Sequence, residues 1–122
     1  MRKLKPGLLI FILCSFVIFS LTSGGEALGK DIPRGIWVSI FSKNKVLYSR
    51  DAVKELIALC KEGKINQIYL QVYQSGKAYY DSKIADASKY EDIVKSAGGD
   101  TIDFLLQEAR DNNIEVFAWI NL

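Results

Sequence analysis

The polar and aromatic side chains best suited to contact a ligand stand at the ends of three apolar, β-rich runs. Ser39, Phe41 and Ser42 close the first. Gln71, Tyr73, Gln74 and Ser75 close the second and lead into Gly76, Lys77, Ala78, Tyr79 and Tyr80, while Trp119 and Asn121 close the third. Amides and hydroxyls exchange hydrogen bonds with sugar hydroxyls, and aromatic rings offer faces to the apolar side of a pyranose, so the set suits a carbohydrate. No carboxylate stands at these ends. Hydrolysis of a glycosidic bond ordinarily uses two carboxyl groups flanking it. The nearest acids in sequence, Asp81, Asp86, Glu91 and Asp92, lie in the polar stretch after the second run, where acidic side chains are most often solvated surface. Glu115 is at the start of the third run, the wrong end for such a cleft.

Other chemistries fail on residue type. The 122 residues contain no histidine, which excludes imidazole general bases, Ser/His and Cys/His pairs and imidazole metal sites. The two cysteines, Cys14 and Cys60, fall in segments of different character and supply neither a disulfide framework nor a zinc knuckle. Ser75-Gly76-Lys77 lacks the first glycine and the trailing hydroxyl residue of a phosphate-binding loop, and no dinucleotide glycine fingerprint follows the first run. Gly98-Gly99-Asp100 reads as a loop and helix cap. No cofactor and no metal is expected.

The elements that must position the strand ends alternate. Gly35 to Phe41 is rich in β-branched and aromatic residues and reads as a strand. Ser42 to Lys45 is a polar turn. Val53, Leu56, Ile57 and Cys60 then recur at helical spacing, with Ser49 as N-cap, Asp51 in the first turn and Gly63 as the stop. Cys60 lies on that apolar stripe, where a thiol is buried and inert. Ile65 to Val72 reads as a second strand, with Ile68, Leu70 and Val72 on one face and Tyr69 and Gln71 on the other. Gln74 to Gly99 reads as one long polar loop. Asp100 caps a second helix whose stripe is Ile102, Leu105, Leu106 and Ala109, ended by Asn112 and Asn113, and Ile114 to Leu122 is a third strand. Trp37, Phe117 and Trp119 are read as core.

Such βα alternation implies a parallel sheet with ligands bound beyond the carboxyl ends of the strands. A parallel strand needs cover on both faces, and no helix follows the third strand. The expectation is therefore the first three strands and two helices of a (β/α)8 barrel, an α/β fold of about 250 residues when whole. As an incomplete barrel it is expected to fold poorly alone.

The first residues read as an address. Arg2, Lys3 and Lys5 precede an apolar stretch from Leu8 to Leu21, followed by Thr22, Ser23, Gly24 and Gly25, the order of a secretory signal. As a helix that stretch would cover about 21 Å, short of the ~30 Å hydrocarbon core, so a cleaved signal is preferred over an uncleaved anchor. Leu13 before Cys14 argues against lipidation. The expected organisation is a signal at 1–27, a linker at 28–32 and the barrel portion at 33–122, in a secreted, periplasmic or envelope protein whose only membrane contact is the signal. Cleavage after Ala27 removes Arg2, Lys3, Lys5 and Glu26 from 16 basic and 14 acidic residues, leaving 13 of each. A neutral exported chain lacks the basic excess that nucleic acid selects.

Three segments together carry a family resemblance. Pro33-Arg34-Gly35-Ile36-Trp37-Val38 is the first. Ile65 through Val72 with Gly76-Lys77-Ala78-Tyr79-Tyr80-Asp81-Ser82-Lys83 is the second, and Ile102-Asp103-Phe104-Leu105 through Glu108-Ala109-Arg110 to Glu115-Val116-Phe117-Ala118-Trp119-Ile120-Asn121 is the third. In order and spacing they resemble the start of the glycosyl-hydrolase-like family 10 proteins, exported bacterial (β/α)8 barrels regarded as glycosidases, some linked to peptidoglycan. The resemblance implies a polysaccharide or peptidoglycan glycan as substrate, with Gln71 and Asn121 as substrate-facing polar groups and Tyr79 as a sugar platform. It also implies catalytic acids on later strands, so this portion alone is expected to be silent. Two positions depart from the family pattern: Tyr73 stands where Arg is frequent, and Phe117 where His precedes Ala-Trp. The alternatives are a non-catalytic carbohydrate-binding or envelope protein and a truncated gene remnant.

Overall fold

A computed structural model describes residues 32–122, and the elements below belong to the unit Pro33–Leu122. The expected signal, its cleavage region and Cys14 lie outside the described residues. No described helix is long and apolar enough to cross a membrane.

The unit is mixed α/β. Strand β1 spans Gly35–Val38, a short 3-10 helix spans Val46–Tyr48, and helix α1 spans Arg50–Glu62. Strand β2 spans Gln67–Gln74 and β3 Lys77–Ala78, followed by α2 at Ser88–Ala97, α3 at Thr101–Asp111 and β4 at Glu115–Asn121. β2 is central, parallel to β1 on one side and to β4 on the other, and it turns back antiparallel onto the two-residue β3.

Local chemistry explains where the helices begin and end. The Ser49 hydroxyl accepts from the amides of Asp51 and Ala52, and Gly63 N–H donates to Leu59 O, so α1 has the predicted start and stop. Asp100 accepts from the amides of Ile102 and Asp103 and starts α3 in the same way. Three elements differ most from expectation. β1 ends at Val38, because Ser42 N–H closes a turn on Ser39 O instead of continuing a ladder. β2 starts at Gln67 because the amides of Ile65 and Asn66 donate to Cys60 O and Arg34 O, and it runs on to Gln74 through its pairings with β3 and β4.

The third difference is α2, which occupies part of the stretch expected as loop. Its amino end has no side-chain cap from Ala87, and of its residues Ile93 alone is buried, so its apolar signal is one residue deep. Asp86 Oδ1 accepts from Ser88 N–H at 2.9 Å and orders the entry, a bond that holds the Asp86 carboxyl below its ordinary range.

The core lies on one face of the sheet. Ile68, Leu70 and Val72 of β2 and Val38 of β1 meet Val53, Leu56, Ile57 and Cys60 of α1, Ile93 of α2, and Leu105 and Ala109 of α3. Cys60 is fully buried and its thiol is pushed up by burial, the inert state expected of it. Leu106, expected in the α3 stripe, is 40% exposed; buried Thr101 packs there instead and donates its hydroxyl to Leu47 O.

The opposite face is aromatic and open among the described residues. Tyr69 stacks between Trp37 and Phe117, with centroids 4.7 and 5.2 Å away and rings 19° from parallel in both cases, and Trp119 meets Trp37 edge-on at 5.1 Å. Trp37 and Phe117, read from the sequence as barrel core, are 63% and 40% exposed in this unit, and each stacks on Tyr69. Gly35 sits below this ladder, where a Cβ would come within 2.6 Å of the Tyr69 ring. A ring held on both faces cannot swing aside, so this position requires glycine.

Candidate functional site

The carboxyl ends of β1, β2 and β4 lie at one end of the sheet, and a chain of hydrogen bonds joins the first two. Gln71 is 1% exposed. Its Oε1 accepts from the Ser39 hydroxyl at 3.0 Å and from Ile40 N–H at 3.3 Å, and its Nε2 donates to Gln74 Oε1 at 2.8 Å. Ser39 Oγ in turn accepts from Phe41 N–H at 3.2 Å. The register explains why the chain forms: Val38 pairs with Leu70, so the residue after β1 comes level with Gln71.

The three residues singled out in the sequence fall in different surroundings. Gln71 is on the aromatic face, but both of its polar atoms are already engaged within the protein, which makes it a strut between β1 and β2. Asn121 is exposed at the end of β4, in register with Gln74. Tyr79 is only 8% exposed and belongs to the core cluster, where burial pushes its phenol up. Its N–H donates to Val72 O, which turns the ring inward after the hairpin. A ring packed in this way presents no open face among the described residues. The cavity it borders, with Val38, Ile40 and Leu70, holds about 10 Å³, no more than one water.

A further contributor is Phe41, one of the residues that close the first β-rich run. Phe41, next to the strut, is 70% exposed, although a β-rich run ending in Phe is ordinarily read as buried strand. The signal available was the Ser39 to Ser42 sequence, whose small hydroxyl residues favour a turn. Beside Phe41, Ser42 Oγ is buried and has no hydrogen-bond partner among the described residues.

Asp86 lies against the hairpin at the carboxyl end of β2, its backbone O accepting from Ala78 N–H at 2.8 Å and its N–H donating to Gly76 O at 3.3 Å. Glu115 lies at the amino end of β4 and accepts from Gln67 Nε2 at 3.1 Å. Asp92 pairs with Lys89 on α2 and Asp86 caps the entry to that helix. Among the described residues no group of three or more acidic, cysteine or histidine side chains is placed to hold a metal. What the strand ends can do chemically is donate and accept hydrogen bonds and present an apolar ring.

Comparison with known proteins gives one family match: the glycosyl hydrolase-like 10 model matches residues 32–122. No curated protein matches the chain.

Proposed function

Because the chain belongs to the glycosyl hydrolase-like 10 family, we propose that it is the amino-terminal portion of an exported glycoside hydrolase acting on cell-wall or other polysaccharide. In this reading β1, β2 and β4 are the first three parallel strands of a (β/α)8 barrel. The helices cover their outer face, the aromatic ladder faces the barrel interior, and the glycan lies across the carboxyl ends. The observation that carries the reading is the pairing of three parallel strands with an amide, hydroxyl and aromatic set at their carboxyl ends.

The division of labour follows from residue type. Glycosidic cleavage needs one carboxylic acid to protonate the leaving oxygen and one carboxylate to act as nucleophile or to activate water. No carboxylate ends β1, β2 or β4. The chain's own part is therefore to bind and orient: Asn121 exchanges hydrogen bonds with sugar hydroxyls, and Gln71 fixes the end of β1 against β2.

The same lack of strand-end acids favours a second reading, a carbohydrate-binding protein on the same scaffold without turnover. One experiment addresses both. The 122-residue chain is expected to be retained on purified peptidoglycan sacculi or on another insoluble polysaccharide, with no release of reducing ends. Absence of retention on every glycan offered would contradict both readings, whereas reducing ends released by the chain alone would show that the acids are already present.

A further inference from the structure

We propose that Phe41 is a sugar-stacking ring and that Gln71 is the residue that positions it; the assignment of a glycan as ligand rests on the function proposed above.

An exposed phenylalanine on a short turn is usually mobile, because nothing packs on it. Phe41 is different. Its own N–H donates to Ser39 Oγ, the Ile40 N–H donates to Gln71 Oε1, and the Ser42 N–H donates to Ser39 O, so three successive amides are tied down. The tie leads through the Ser39 hydroxyl to a carboxamide that is 1% exposed and therefore fixed by the core. A ring left 70% in water carries an unfavourable apolar exposure that folding does not relieve, yet its backbone is held in one place. That combination is what a stacking platform needs, since a ring on an anchored backbone has only its own side-chain torsions left to fix when a pyranose face covers it.

The rings of the aromatic ladder serve this purpose less well. Tyr69 has both faces covered by Trp37 and Phe117, and Trp37 meets Tyr69 with one face and Trp119 through an edge contact. Phe41 has no aromatic partner among the described residues. It also lies at the carboxyl end of β1, where ligands of parallel α/β sheets bind. Gln71, with Oε1 accepting twice and Nε2 donating once, acts through the turn and does not touch the sugar.

The test is retention of the full 122-residue chain on peptidoglycan sacculi, with thermal unfolding followed alongside. Phe41→Ala is expected to weaken retention about three- to tenfold with an unchanged melting curve, and Phe41→Trp to preserve or strengthen it. Gln71→Leu is expected to weaken retention to the Phe41→Ala level although the ring is still present. The double variant should fall no further, because both changes remove the same interaction. If Gln71→Leu does not fold, Ser39→Ala, at a half-buried position, removes the bonds of the Ser39 hydroxyl to Gln71 Oε1 and Phe41 N–H while leaving Ile40 N–H on Gln71 Oε1, and should weaken retention part of the way to the Phe41→Ala level. Retention unaffected by Phe41→Ala would overturn the stacking role, and effects that simply multiply would overturn the positioning role. A wild-type chain that no glycan retains would remove the functional reading itself.

Discussion

Ile68→Ala is expected to remove roughly half or more of the unit's stability. Ile68 is fully buried at the middle of β2, in register with Ile36 of β1 and Val116 of β4, and on its outer side it meets the core formed with the helices. Truncation removes three carbons from a site walled by strands on both sides, which cannot collapse to fill the void, and such changes cost about 2–5 kcal/mol. A unit of this size has on the order of 5–13 kcal/mol in all, and with one sheet face open it belongs at the lower end. Ile84, 97% exposed, is the control: Ile84→Ala should change stability by no more than about 0.5 kcal/mol. Urea unfolding followed by circular dichroism distinguishes them, and equal midpoints for the two variants would contradict the core described above.

Gln71→Leu carries the next largest effect, for a different reason. Leucine fills a similar volume, so little packing is lost, but Ser39 Oγ, Ile40 N–H and Gln74 Oε1 each lose a partner at once. A buried group left without its hydrogen bond costs about 1–3 kcal/mol, and those with access to water recover part of that. The loss should be local: the turn from Ser39 to Ser42 is released while the β1–β2 ladder from Gly35 to Val38 stays paired. Amide exchange reads this directly, with faster exchange expected at Ile40 and Phe41 and little change at Leu70. Gln74→Ala, which leaves both bonds to Gln71 Oε1 intact, should cost less. Equal costs would show that Gln71 is not the strut.

What the sequence made legible follows from which interactions are local. The caps Ser49 and Asp100 bond to amides two and three residues on, so both helix starts were readable from residue order. The alternation in β2 placed Ile68, Leu70 and Val72 on the core face, and the βα order implied the parallel pairing. α2 was missed because its one buried residue, Ile93, gives no periodic stripe, and its entry depends on Asp86 instead of a cap in the preceding position.

The candidate site was less legible, because its bonds span long separations. Gln71 was recognisable as a strand-end amide, but its ties to Ser39 and Ile40 cross more than 30 residues and leave no trace in local residue order. Tyr79 follows a hairpin whose geometry turns the ring into the core, and residue type carries no sign of that. The aromatic ladder was read as core because Trp and Phe in strands usually are; what covers that face is not set by the residues that form it.

The glycoside hydrolase barrel proposed above, with its acids on later strands, is tested by the source DNA beyond the codon for Leu122. An open frame continuing for on the order of 150–200 residues is expected, with further strand and helix alternation and carboxylates at the carboxyl ends of the later strands. A stop codon immediately after Leu122 would contradict it, leaving a sheet of three parallel strands to bind glycan without cleaving it.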